Sequence, residues 1–162
     1  MTKKAQNRAS RTGLSEEARN ALVLPLNELL SDLHIQYTKT RNYHWNVTGD
    51  QFFQLHSVFE EQYTELASDI DEVAERVRTL GGIAFGSMAT FLKHGRLKED
   101  DTVPDGNGMV ESLLIGYESL IGSFRKLAEK AAEVEDVSTE DFAIGIIEKY
   151  EKTAWMLRSY LG

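Results

Sequence analysis

Residues 56–81, HSVFEEQYTELASDIDEVAERVRTLG, carry the pattern that decides the fold. Phe59, Tyr63, Leu66, Ile70, Val73, Val77 and Leu80 recur at alternating spacings of four and three, which is one apolar stripe of an amphipathic helix facing a bundle core. At about 100° per residue, the flank beside that stripe holds His56, Glu60, Asp71 and Glu75 within a sector of roughly 100°. A solvated flank accounts for any one of these side chains. Two pairs at i,i+4 spacing on one flank point instead to metal ligation, each pair supplying half of a site.

The two halves are too far apart to serve one ion within one chain. From Glu60 to Asp71 the helix climbs about 16 Å, whereas metal bonds to His or carboxylate are roughly 2 Å long. The halves meet if a second copy of the chain lies antiparallel across the same flank, about a two-fold axis near residues 65 and 66. Close crossing requires small side chains there, and Thr64, Ala67 and Ser68 stand on that flank. His44, just before the turn Asn46–Gly49, is placed to complete the His56 side. The expected ligand set is His44, His56 and Glu60 from one chain with Asp71 and Glu75 from the other. Two imidazoles and three carboxylates suit Fe(II), Mn(II) or Zn(II), and oxidation to Fe(III) further favours the oxygen ligands. An intrasubunit di-iron centre with Glu-x-x-His motifs is not expected, because the residues three before His34, His44, His56 and His94 are Ser31, Arg41, Phe53 and Phe91.

Outward from this helix the pattern is all-α. Ser15 followed by Glu16 and Glu17 opens a short helical segment, and Pro25 suits the first turn of a new helix or a kink, so the main first helix is expected from about Pro25 to Trp45. The second helix is expected from about Gln51 to Leu80, ending at Gly81-Gly82. A crossover over 83–107, with Gly86, Gly95, Pro104, Gly106 and Gly108, has room for one short helix at Ser87–Lys93. A third long helix follows from about Met109 to Glu135. Ser138 and Asp141, at capping-box spacing, open a fourth that reaches about Leu161. Two helical hairpins joined by one long crossover are the connectivity of a ferritin-like four-helix bundle, expected as a single domain over 15–162 behind a flexible basic tail over 1–14.

Charge is unevenly distributed. The chain of 162 residues carries a net −8, yet Lys3, Lys4, Arg8 and Arg11 give the first thirteen residues +4, leaving −12 for the remainder. An acidic body attracts cations, while a basic arm either reaches a phosphate backbone or serves solubility. The absence of cysteine excludes disulfides, thiolate zinc sites and Cys nucleophiles. No apolar stretch approaches the length of a membrane span, and a cytoplasmic protein is expected.

The run Lys39-Thr40-Arg41-Asn42-Tyr43-His44-Trp45-Asn46-Val47-Thr48-Gly49 resembles the signature that ends the first helix in Dps proteins, the mini-ferritins named for DNA protection during starvation. Leu55-His56 and the run Asp69 to Gly81 resemble that family's second-helix signature, and the spacing of His44, His56, Glu60, Asp71 and Glu75 coincides with its ferroxidase ligands. At one of these positions, occupied here by Glu60, the family varies between Asp and Glu. The resemblance spans roughly residues 20 to 161. It implies a hollow dodecamer with an iron-storing cavity, hydrogen peroxide as oxidant, and protection of DNA, in some members through a basic terminal tail. Lys3, Lys4, Arg8 and Arg11 would serve as such a tail. A nucleoid protein whose main role is DNA compaction, with metal binding secondary, is the alternative. Trp45 has two readings, an electron donor to trapped oxidant or an interface aromatic. Asp136, Glu140 and Asp141 cluster where the family often places an acidic three-fold pore, although helix starts favour acids in any case.

Overall fold

The computed structural model describes residues 12–162, and within them five helices and no strand. Helix α1 (Glu16–Asn46) and α2 (Phe52–Thr79) form one hairpin; α4 (Gly106–Glu133) and α5 (Val137–Leu161) form the other. The crossover between them carries the short α3 (Met88–His94), which packs on α1. Among the described residues no helix is long and apolar enough to cross a membrane.

The apolar stripe of α2 faces the core as its spacing demands: Phe59, Leu66, Val73, Val77 and Leu80 are buried, while Tyr63 and Ile70 are half-buried. From α4 come Leu113, Tyr117, Leu120, Phe124 and Leu127, and from α5 Ile146, Tyr150, Ala154 and Leu157. α2 ends at Thr79 with Leu80 as its cap, beyond which Gly81 takes φ +88° and Gly82 N–H returns to the Val77 carbonyl at 3.0 Å. Only a residue without Cβ adopts that left-handed turn freely.

Three expectations about helix ends are corrected. α1 does not restart at Pro25 but runs from its Ser15 cap straight through it. A proline inside a helix costs about 3 kcal/mol, but Leu22 and Leu26 on either side are fully buried, each worth roughly 1.5–3 kcal/mol, so packing outweighs the break. α4 begins at Gly106, ahead of Met109, because Asp105 caps it by accepting from Gly108 N–H at 2.8 Å. α5 is capped by Asp136 rather than Ser138, with Thr139 N–H donating to the Asp136 carboxylate at 3.2 Å.

Polar side chains within the apolar stripe of α1 pin the crossover. Asn27 donates to the Ile83 carbonyl at 3.0 Å and accepts from Phe85 N–H at 2.8 Å. The buried Asp32 carboxylate accepts from Leu97 N–H at 2.9 Å and from the Arg96 guanidinium at 2.7 Å. Phe91 of α3 stacks on His34 of α1, ring centroids 3.9 Å apart. Burial in that contact lowers the His34 pKa below the usual imidazole value. α1 and α4 cross so closely at Gly116 that a Cβ there would fall 2.0 Å from Gln36 Oε1.

Candidate metal centre

The α1–α2 hairpin builds the candidate site around His44, His56 and Glu60. Val47 is buried and its N–H closes on the Tyr43 carbonyl at 2.9 Å, which ends α1 one turn after His44 enters the interface. Gly49, at φ +97°, reverses the chain and its carbonyl accepts from Phe52 N–H at 3.0 Å, so that α2 starts with His56 opposite His44. The two imidazoles stack with centroids 3.8 Å apart and planes 20° from parallel.

Their hydrogen bonds are reciprocal. His44 Nδ1 lies 2.8 Å from the His56 carbonyl oxygen, and His56 Nδ1 lies 2.9 Å from the His44 carbonyl oxygen. A carbonyl can only accept, so each Nδ1 carries a proton and donates it. In the neutral rings both Nε2 atoms therefore hold a free lone pair, the tautomer and orientation that a metal-ligating histidine takes from its second hydrogen bond. Glu60, one turn along α2 and exposed, offers a carboxylate to the same point. The ligand atoms of His44, His56 and Glu60 all lie within 4.8 Å of one another, and among the described residues theirs is the one such trio of ligand-type groups.

Aromatic packing stiffens this half-site. Phe52 stacks behind His56 at 5.0 Å, and Tyr63 meets His44 edge-on at 5.2 Å. Arg41 lies 4.7 Å from the Trp45 ring, 5.4 Å from Tyr63 and 5.6 Å from Tyr37, and donates to the Tyr37 hydroxyl at 2.9 Å. Trp45 itself is 63% exposed and is held by this cation contact on the rim rather than by either histidine.

Asp71 and Glu75 stand further along α2, exposed and outside the trio. Between Glu60 and Asp71, Thr64, Ala67 and Ser68 are all exposed, an open strip of small side chains. Asp136, Glu140 and Asp141 have different surroundings. Asp136 is only 3% exposed and points inward to Arg76, whose guanidinium donates at 2.7 and 2.8 Å, while Glu140 and Asp141 line an open hollow with Val137 and Ile144. Burial pushes the Asp136 carboxyl up, but hydrogen bonds from Thr139 and Arg76 outweigh it and hold the pKa below the ordinary carboxylate value. Lys3, Lys4, Arg8 and Arg11 lie outside the described residues.

Sequence reasoning missed several functional-looking groups. Asp69 is fully buried on α2 and is met by Lys149 and, at 2.7 Å, by the Tyr150 hydroxyl. Its spacing of three from Leu66 puts it on the core face, where a carboxylate needs partners that the sequence order does not reveal. Asp100, beyond α3, accepts from the Tyr43 hydroxyl; burial and then that contact push the Tyr43 phenol up to about 12. No local signal connects residues that far apart in the chain.

Residues 24–162 match the ferritin-like domain. The chain is 44% identical over 151 residues to a low temperature-induced protein of Nostoc sp., covering 92% of this chain and 84% of that one. It is 40% identical over 136 residues to DNA protection during starvation protein 2 of Bacillus anthracis, covering 84% and 93% respectively. A crystal structure of a Dps protein from Vibrio cholerae, described as a member of a broad superfamily of ferritin-like diiron-carboxylate proteins, superposes with a TM-score of 0.92 at 36% identity, covering 95% of this chain and 97% of that one. The chain belongs to the ferritin-like proteins and, within them, to the Dps mini-ferritins.

Proposed function

We propose that this chain oxidises ferrous iron at sites shared by two antiparallel copies of itself and stores the ferric product inside a closed shell of twelve subunits, with hydrogen peroxide as the oxidant. The observation that carries the reading is the paired histidines: both Nδ1 protons are committed to backbone carbonyls, so both Nε2 atoms are free beside the Glu60 carboxylate. His44, His56 and Glu60 hold the ferrous substrate from one side, and Asp71 and Glu75 of the partner subunit close it from the other. Carboxylates from both chains offset the rise in charge when iron becomes ferric. Two ferrous ions each give one electron to a peroxide. Its O–O bond breaks, two protons are taken up and two waters leave, so no hydroxyl radical is released to attack DNA. Zinc or manganese would occupy the same ligands without this turnover, as surrogates. The acidic body supports cation entry, and the protein is taken to work in the cytoplasm.

Stopped-flow absorbance tests the reading. Metal-free protein is mixed with ferrous iron under argon and then with limiting peroxide; fast ferric formation and a soluble core are expected, and a rate equal to that of protein-free buffer overturns it. The sharing of the site is tested by co-refolding His56→Ala chains with chains carrying Asp71→Asn and Glu75→Gln. Random pairing about a two-fold axis restores one intact site in each mixed dimer, so about a quarter of the wild-type sites should return. No recovery in mixed assemblies that form normally removes the shared site.

A second reading, a DNA-compacting structural protein, draws on the +4 charge of residues 1–13 against an acidic remainder. Deleting those residues should abolish DNA retardation at low salt if the tail is the contact. Retained binding shows that it is not.

A further inference from the structure

On another face of the bundle from the paired histidines, a groove of about 370 Å³ opens between α2, α4 and α5. Its floor is apolar, built from the buried Leu55, Val110 and Leu157 with Val58 and Met156 beside them. Glu61 and Glu65, one helical turn apart, stand on one wall. Between them in sequence Gln62, only 7% exposed, also lines the groove, and its Oε1 is buried with no hydrogen-bond partner. Such an unsatisfied acceptor costs about 1–3 kcal/mol, and a donor brought in by a ligand would recover it. Among the described residues no lysine or arginine lines the groove.

We propose that this groove binds a small organic cation, an alkyl-ammonium or alkyl-guanidinium compound whose apolar body lies on the Leu55–Val110–Leu157 floor. Its charged head donates to the Glu61 and Glu65 carboxylates and to Gln62 Oε1. A volume in this range, mostly apolar with a few convergent polar groups, is that of an ordinary small-molecule site. A bare metal ion fits it less well. It would leave the apolar floor uncovered, and among the described residues no third ligand-type group converges with Glu61 and Glu65 as His44, His56 and Glu60 converge on each other. The pairing of an apolar stem with a carboxylate-seeking head gives the two ligand features one source, where a neutral alcohol has only the first.

The experiment is isothermal titration of the metal-free assembled protein with hexylammonium chloride, with hexanol as the neutral isostere. Saturable binding of hexylammonium, at least ten-fold tighter than hexanol, is expected. The Glu61→Gln, Glu65→Gln double variant should lose most of that preference while hexanol is unaffected. Val58→Trp, which fills the groove from its rim, should abolish binding of both. Circular dichroism and size-exclusion profiles identify any variant that fails to fold. If Val58→Trp fails to fold, Thr153→Trp from the α5 wall replaces it. Equal affinity for the two probes, an unchanged preference in the double variant, or no saturable binding because a neighbouring subunit already fills the groove, each overturns the proposal. So does stoichiometric displacement of hexylammonium by manganese, which would make the carboxylates a metal site.

Discussion

The two ends of α2 carry the same kind of chemistry in opposite states of completion. At its start, His56 and Glu60 are joined by His44 across the hairpin, and the imidazoles lock each other through paired backbone hydrogen bonds. At its other end, Asp71 and Glu75 are two exposed carboxylates, and among the described residues no third ligand-type group converges with them. What holds that end is structural: Arg76, the residue after Glu75, is tied to Asp136 and Thr139 at the start of α5. One end is thus preorganised by its own chain, and the other stands exposed on a clamped helix. Between them Thr64, Ala67 and Ser68 form an exposed strip of small side chains, the place where the proposed second copy would cross.

The comparison is broken most severely at that strip. Ala67→Trp puts a large ring where two α2 helices would cross, and oxidation is expected to fall to the rate of protein-free buffer while the circular dichroism of the folded subunit is kept. Normal turnover in this variant would mean that the two ends do not meet across chains. At the preorganised end, His56→Ala removes a ligand and the ring stacked on His44, while the backbone carbonyl that holds His44 Nδ1 stays, so iron affinity should drop about 100-fold. Glu75→Gln at the open end should cost about ten-fold in the same stopped-flow and titration measurements, and no change there would leave the second half without a role.

A smaller effect sharpens the structural side of the contrast. Arg76→Ala leaves the buried Asp136 carboxylate without its partner and should lower unfolding free energy by about 2 kcal/mol in denaturant titration. Because the folded Asp136 has a lowered pKa, its contribution is present above the unfolded carboxylate value near 3.9 and disappears as pH falls through the folded pKa. Wild type should therefore lose stability below about pH 4 more steeply than Asp136→Asn, compared by thermal melts across that range. Parallel acid curves would remove Asp136 from the account.

How much of this was legible beforehand differs by residue. The apolar stripe from Phe59 to Leu80 and the four ligand-type residues beside it follow from helical period alone, because a helix turns a linear spacing into a face. His44 was legible because a short turn leaves it little choice of neighbour. Asp136 was not: it precedes Ser138 and Asp141, which offered an equally good cap by spacing, and only Arg76, sixty residues earlier, drew it inward. Pro25 likewise reads as a helix start in isolation, and only the burial of Leu22 and Leu26 keeps α1 continuous.

By itself, then, the order of residues determined which faces are apolar, where the ligand types stand on them, and that one chain cannot bring Glu60 and Asp71 to a single ion, since helix rise is a local property of the backbone. The tertiary structure decided what depends on two distant segments meeting. Among these are the free Nε2 atoms of His44 and His56, set by carbonyls across the hairpin, and the buried Asp69 with Lys149 and Tyr150. A proton's place on a ring and the fate of a buried charge depend on the partner within hydrogen-bond reach, and only packing supplies that partner.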